Sequence, residues 1–293
     1  MKLNPVFERF VEASPISVMA RGTMERVLNP EQLNEWFDKT AQEQYTRDLL
    51  FSSVFDIMSQ VVLDSHHSVN AAYQGSKEDI AVSITSVYNK LNGIEVNTSA
   101  ELVHYAAGEV IPAITKLGGA IKPLLPGFHV KLLDGNCIEA TEHRIKELRS
   151  TASGALPGKS LVVFDPSLRI PIDVFPCEDG HAQERSLLGD VLPTVKANDV
   201  WINDRNFCVR SFLCGIADKK AYFINRLHEN LPWESLGKEK YYGKIETGKV
   251  YEQYVQVVDE SGKEWKFRLI RICLKKATRD GDKEIFIITN LSK

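Results

Sequence analysis

Two aspartates stand at positions that could bind a metal. Asp134 follows the apolar run His129-Val130-Lys131-Leu132-Leu133 and precedes Gly135-Asn136, and Asp204 follows Val200-Trp201-Ile202-Asn203 and precedes Arg205-Asn206-Phe207. A carboxylate at the end of a buried strand is costly unless its charge is compensated. A divalent cation shared by two such carboxylates is one compensator. Mg²⁺ takes oxygen ligands, keeps several waters, and is commonly held by one or two protein carboxylates plus a substrate phosphate. A pair of such ions can activate a water and stabilise the leaving oxygen of a phosphodiester. Uncatalysed cleavage of that ester is extremely slow, so metal charge at the developing oxyanion is the natural source of a large barrier reduction. The alternative for each aspartate is a turn or helix cap, and Asp204 could cap a helix beginning near Arg205. Asp165, Asp173 and Asp190 compete for the metal role, with Asp165-Pro166 reading as a turn and Asp190 lying near a helix end.

Other chemistries lack an anchor. Gly154-Ala155-Leu156-Pro157-Gly158-Lys159-Ser160 resembles a phosphate-binding loop, but it has three residues between its glycines where four are needed. It also follows a helical stretch and enters a strand, the reverse of the required order. The histidines, His66, His67, His104, His129, His143, His181 and His228, show no HExxH spacing, and there is no GxSxG elbow. The five cysteines include no CxxC pair, and Cys208 and Cys214 read as core residues of a helix in a reducing compartment.

The elements that must position the aspartates fall into two styles. The front is helical: Asn34 to Met58, with a start at Asn29-Pro30-Glu31, then about Ser76 to Lys90 with a stop at Asn92-Gly93, then about Ser99 to Leu117. Three short helices ending in Ile84–Lys90 allow a helix-turn-helix that reads DNA, or a plain helical bundle. Beyond Gly118 come short apolar runs at His129–Leu133, Leu161–Phe164, Arg169–Phe175, Asp199–Asn203 and Ala221–Ile224. Helical stretches at Glu139–Arg149, Ala182–Thr194 and Arg205–Ile216 alternate with them, which predicts a mixed α/β layer domain. Tyr251–Val258, Glu264–Leu274 and Glu284–Ile288, joined by glycine-containing turns, predict an antiparallel meander.

The 293 residues carry a net charge of −3, and that balance is uneven. Residues 1–120 hold 9 lysines and arginines against 15 aspartates and glutamates, whereas from Arg205 onward the count is 18 against 12. A basic second half points toward a polyanionic partner, or simply to a solvated charged surface. No apolar run approaches the roughly 18 residues of a membrane span, and MKLNPVFERF lacks a secretory core. The expected location is therefore the cytoplasm.

Four words occur in order: Leu132-Leu133-Asp134-Gly135-Asn136, Glu178-Asp179-Gly180-His181-Ala182-Gln183-Glu184-Arg185, Asp199–Phe207, and Ile287-Ile288-Thr289-Asn290-Leu291. Together they resemble the bacterial insertion-sequence transposases of the DDE type, in the family usually numbered four, and the resemblance extends through essentially the whole chain. It implies an all-helical N-terminal domain over residues 1–118 that binds terminal inverted repeats. An RNase H-like catalytic core over 119–293 would follow, with an antiparallel β insertion at about 240–285. Asp134 and Asp204 would be the first two metal-binding catalytic carboxylates, for Mg²⁺ or Mn²⁺, with two ions in a complete site. The implied reaction is hydrolysis at the transposon end, followed by attack of the freed 3′-OH on target DNA. The implied assembly is a dimer on double-stranded DNA. Arg205 and Asn206 would steady nearby phosphate or neighbouring groups, and Lys275 and Lys276 would contact DNA backbone. The family's third carboxylate lies in Tyr-x2-Arg-x3-Glu-x6-Lys, and no stretch here matches it; Glu229, Glu234 and Glu246 lack its partners. The chain thus reads as a transposase cut before its third ligand and before the last helix of its sheet, which would expose apolar surface. The competing readings are a DNA-binding remnant that cleaves nothing, and an unrelated RNase H-like nuclease or phosphotransferase.

Overall fold

A computed structural model describes residues 9, 11–42, 48–137, 159–177 and 183–292. The chain divides into two compact units, Met1–Leu117 and Gly118–Lys293. Every element described in the first unit is a helix: α1 (Pro15–Val27), α2 (Pro30–Thr40), α3 (Phe51–Val62), α4 (Val69–Gly75), α5 (Ile84–Asn92) and α6 (Val96–Lys116). The start of α2 is set by Asn29, whose Oδ1 accepts from Glu31 and Gln32 N–H at 3.0 and 3.2 Å, with Pro30 in the first turn.

The expected single stretch over Asn34–Met58 is two helices. Ala41 and Leu50 take extended backbone (ψ 134° and 150°), which ends the first helix and precedes the second. Phe37 stacks on Phe51 with ring centroids 4.4 Å apart, beside fully buried Leu33. Asn34 locks the pair: its Nδ2 donates to Ser52 Oγ at 3.0 Å, and its Oδ1 accepts from Ser52 N–H, also at 3.0 Å. The expected helix over Ser76–Lys90 is likewise broken. Its second half is α5, which begins only after Ser83 has capped the Ser86 N–H. Val54 and Ile57 of α3, Ala72 and Tyr73 of α4 and Val87 of α5 share one apolar cluster.

The second unit is built on one mixed sheet. Its strands are β1 (His129–Cys137), β2 (Lys159–Asp165), β3 (Ile170–Cys177), β4 (Asp199–Asn203), β5 (Tyr222–Arg226), β6 (Glu234–Ser235), β7 (Lys240–Lys244), β8 (Gly248–Val258), β9 (Glu264–Leu274) and β10 (Glu284–Thr289). They lie in the order β3-β2-β1-β4-β5-β10-β9-β8-β6, with β7 also paired to β8. Strands β1, β4 and β5 are mutually parallel, and the remaining pairings are antiparallel. The expected meander is therefore part of the same sheet, joined through β10 to β5 (Thr289↔Ile224). Thr289 Oγ1 donates to the Phe223 carbonyl at 2.5 Å, and Asn290 brackets Phe223 by accepting from its N–H and donating to the Ala221 carbonyl, both at 2.8 Å. At the start of β8, a side chain at Gly248 would run into the Cys273 carbonyl, so only glycine allows that strand approach.

Two helices expected in this unit are fragmented. Ala182–Thr194 resolves, over its described residues, into a 3₁₀ turn at Glu184–Leu187, the short α7 (Leu188–Val191) and a second 3₁₀ turn at Leu192–Thr194. Pro193, with no N–H to give, sits where a longer helix would need one. Arg205–Ile216 becomes a 3₁₀ turn at Arg205–Phe207 and α8 (Arg210–Asp218). Phe212, Leu213 and Ile216 of α8 pack with Leu133, Trp201, Phe223 and Phe267 of the sheet. The helical stretch expected at Glu139–Arg149 and the loop at Gly154–Gly158 lie outside the described residues. Among the described residues, no helix is long and apolar enough to cross a membrane.

Candidate functional site

The parallel strands bring the two aspartates together. The register pairs Leu133 with Asn203 and Asn203 with Asn225. Extending that register by one residue places Asp134, Asp204 and Arg226 in a row across β1, β4 and β5. Neighbouring strands lie about 4.8 Å apart, and side chains in register share a face. Leu133, Trp201 and Phe223 belong to the helix-covered core, so the alternation puts this row on the opposite face. Asp204 keeps extended backbone (φ −74°, ψ 169°) and continues the line of β4. Arg226 is the residue that sequence reasoning missed. Only the register reveals it, since 92 positions separate it from Asp134 in the chain. It is held by Asp282, Nη2 to Oδ2 at 2.6 Å, with 31% of its side chain exposed.

Both aspartates are exposed. The cost of a buried carboxylate, expected from the apolar runs, therefore does not arise; water solvates both groups. Capping does not occupy them either. Asp204 precedes a 3₁₀ turn, yet its side chain makes no cap hydrogen bond. Among the described residues, Asp134 Oδ1 accepts only from the adjacent Gly135 N–H, at 2.9 Å. The competing aspartates serve local structure. Asp165 Oδ1 accepts from Ser167 and Leu168 N–H at 2.8 and 3.0 Å, Asp173 Oδ1 accepts from Val174 N–H, and Asp190 lies in α7.

Below the row, buried amides fix the backbone. Asn203 Nδ2 donates to Asn225 Oδ1 at 2.8 Å, and Asn225 Nδ2 donates to the Asp204 carbonyl at 2.9 Å. Asn225 is fully buried, so its hydrogen bonds hold Asp204 in a setting where an unmade bond is expensive. A second support joins the residues that follow each aspartate. Gly135 has no Cβ, and the Glu184 carboxylate occupies the space one would fill. Asn206 Nδ2 donates to Glu184 Oε2 at 2.8 Å, and Arg185 Nε donates to Asn206 Oδ1 at 3.1 Å. Asn206 is thus engaged within the protein, whereas Arg205 is exposed beside Asp204. Glu184→Ala and Asn206→Ala should each lower stability by about 1 kcal/mol. The double variant should show a coupling of at least about 0.5 kcal/mol, read from urea unfolding of the four proteins.

Lys275 and Lys276 lie just past the end of β9, away from the aspartate row; both are exposed, and Lys275 Nζ donates to the Glu246 carbonyl. Cys208 and Cys214 are buried, and burial pushes both thiols up to about 11. Neither is a nucleophile near neutral pH, and both should react slowly with iodoacetamide until the unit unfolds. Among the described residues, no three or more His, Cys, Asp or Glu side chains converge as a metal cage. The candidate donor set is two exposed carboxylates on adjacent strands. That set fits a hard divalent cation retaining several waters, and does not fit zinc, which takes four tight protein ligands in structural sites. Compared with known proteins, the chain matches no family model and no curated protein.

Proposed function

We propose that this chain is a transposase of the DDE type, acting on double-stranded DNA, with Asp134 and Asp204 as ligands for Mg²⁺ or Mn²⁺. The observation that carries the reading is a pair of exposed carboxylates on neighbouring parallel strands, Asp134 within β1 and Asp204 just past the end of β4, each one residue beyond the paired Leu133 and Asn203. Ligands of open α/β sheets bind outside the carboxyl ends of parallel strands, and Asp204 lies just past that end of β4. The strand order β3-β2-β1-β4-β5 supports an RNase H-like core. A bound divalent ion would supply charge at the cleaved phosphate and lower the pKa of a bound water. Arg226, next in the row, offers a fixed cation to a phosphate oxygen. Asn225 holds the Asp204 backbone in place. The helices of the first unit would grip the terminal inverted repeats, with Thr85, Ser86, Tyr88 and Asn89 exposed on α5. Pairing two transposon ends calls for a dimer on DNA, working in the cytoplasm with the nucleoid.

The absence of a third converging acid among the described residues favours a second reading, in which the chain binds transposon ends and cleaves nothing. One experiment separates the two: a pool of duplexes from the DNA flanking the gene is incubated with the protein and Mn²⁺. Cleavage predicts strand-specific nicks that require the metal and vanish in Asp134→Ala. Sequence-selective retention without nicks supports the binding reading. No affinity for any duplex at low salt sinks both.

A further inference from the structure

Arg226 is held at both ends. Its backbone lies in β5, where it pairs with Ile287 of β10, and its carbonyl accepts from the buried Asn225 Nδ2 at 3.4 Å. Its guanidinium donates to Asp282, Nη2 to Oδ2 at 2.6 Å. Strand β5 ends at Arg226, whereas the antiparallel β10 extends back from Ile287 to Glu284, with Asp282 before it. Asp282 therefore lies past the carboxyl end of β5, and the ion pair draws the guanidinium beyond the strand end. Asp204 stands just past the same end of neighbouring β4.

The loop that carries Asp282 fixes it closely. Leu274 N–H donates to the Lys283 carbonyl at 2.9 Å and closes the β9–β10 hairpin. Inside the hairpin, Thr278 engages both backbone groups of Asp282. Thr278 N–H donates to the Asp282 carbonyl at 2.9 Å, and Asp282 N–H donates to Thr278 Oγ1 at 3.0 Å. Gly281, at φ 90°, makes a turn that a residue with a side chain would resist. The adjacent Arg279 and Asp280 are exposed, and among the described residues neither forms an ion pair. Stability does not call for the Arg226–Asp282 contact. The two side chains are 31% and 40% exposed, and ion pairs in water contribute little to folding. Orientation is what the contact supplies. A ligand that meets a mobile arginine must immobilise it, whereas an arginine already held spares that cost. Among the described residues, only Nη2 of the guanidinium has a partner. The other N–H groups are open, in a planar fork that matches a phosphate.

Resting on the transposase reading, we propose that Asp282 is a positioning residue, which holds the Arg226 guanidinium ready to receive a phosphate group at the carboxyl ends of the parallel strands. Asp282 does not touch the phosphate. It acts through Arg226 alone, and its effect on anion binding has the opposite sign to that of its charge.

The test is isothermal titration calorimetry of inorganic phosphate into the full chain with Mg²⁺ present. The same titration is made on Asp282→Asn, Asp282→Glu, Arg226→Gln and Arg226→Gln/Asp282→Asn. Charge alone predicts that removing a carboxylate tightens anion binding, and positioning predicts the reverse. Phosphate should bind Asp282→Asn about 2- to 10-fold more weakly than the parent. Asp282→Glu should recover most of that loss, and the double variant should bind no more weakly than Arg226→Gln. The melting temperature of Asp282→Asn should stay within a few degrees of the parent's. Equal or tighter phosphate binding by Asp282→Asn overturns the proposal, and tighter binding makes Asp282 a competitor for Arg226. Phosphate binding that is absent in the parent, or unchanged in Arg226→Gln, overturns it too. So does a fall in both affinity and melting temperature shared by Asp282→Asn and Asp282→Glu, because the pair is then structural. The transposase reading is judged apart, by Mn²⁺-dependent nicking that vanishes in Asp134→Ala. Such nicking with unchanged phosphate affinity in Asp282→Asn removes the proposal alone. Asp282-dependent phosphate binding without nicking supports the positioning role and counts against catalysis alone.

Discussion

Asp134→Asn and Asp204→Asn are each expected to weaken Mn²⁺ binding by more than about 100-fold, since even outer-shell partners of a metal site cost 10–100-fold when removed. Mn²⁺ suits the measurement because the free ion is counted by electron paramagnetic resonance. The double variant should be no worse than either single one, because two carboxylates acting as one site are not additive. Stability should barely move. Both side chains are exposed and, among the described residues, neither has a partner beyond the adjacent Gly135 N–H, so each change should fall within about 0.5 kcal/mol. Replacing Arg226 with glutamine should act in the opposite direction on the metal. Removing a cation from the row beside Asp204 favours divalent binding, while weakening the hold on phosphate. If Asp134→Asn and Asp204→Asn bind Mn²⁺ as tightly as the parent, the pair is not a metal site.

The largest loss of stability should come from the other end of the same strands. Asp199 opens β4 with 2% of its side chain exposed; its Oδ2 accepts from Lys131 Nζ at 2.8 Å and from Lys196 N–H at 2.9 Å. The Lys131 ammonium also sits over the Trp201 ring, 5.0 Å from its centroid. Asp199→Ala leaves that ammonium, only 15% exposed, without its counter-charge. Breaking a buried pair by removing one partner costs about 3–5 kcal/mol. The urea midpoint of the second unit should fall accordingly. Lys131→Met/Asp199→Leu should recover most of the loss, since an apolar pair of similar volume replaces a buried ion pair at little cost. If Asp199→Ala unfolds at the parent's midpoint, the pair contributes nothing to the fold.

Much of this arrangement was legible in the sequence where the signal is local. The runs ending at Asp134 and Asp204 are strands, and the Glu264–Leu274 run is β9 to the residue. Alternation of β-branched and aromatic residues is a period that survives without knowledge of neighbours. What failed was local pattern against tertiary demand. The Asn34–Met58 periodicity is genuine on both sides of the break, but Phe37 can reach Phe51 only if the chain turns between them. Arg226 and Asn225 carry no local mark at all, and Glu184 stands in one of the four words with nothing to say what it touches. Their place beside the aspartates is created by strand register and by contacts across 21 or 22 residues. The expectation that burial would force a cation onto the aspartates failed for a related reason. The residue just past a strand can leave the core while the strand's last residue remains inside, as Asn203 does beside Asp204.

The place of β10 in the sheet has a consequence for how the protein is made. It follows every other described strand in sequence, yet it lies between β5 and β9 and, among the described residues, is the sole bridge between the two parts of the sheet. Strand β5 ends at Arg226 and β10 begins at Glu284. At synthesis rates of about 5–20 residues per second, β5 waits roughly 3–12 s for its partner. During that interval the Tyr222–Arg226 backbone has an open side, and any chain with a free strand can occupy it. The nascent protein is therefore most exposed to mispairing after its parallel core is already complete, and the arrival of Ile285–Thr289 is the step that ends the hazard.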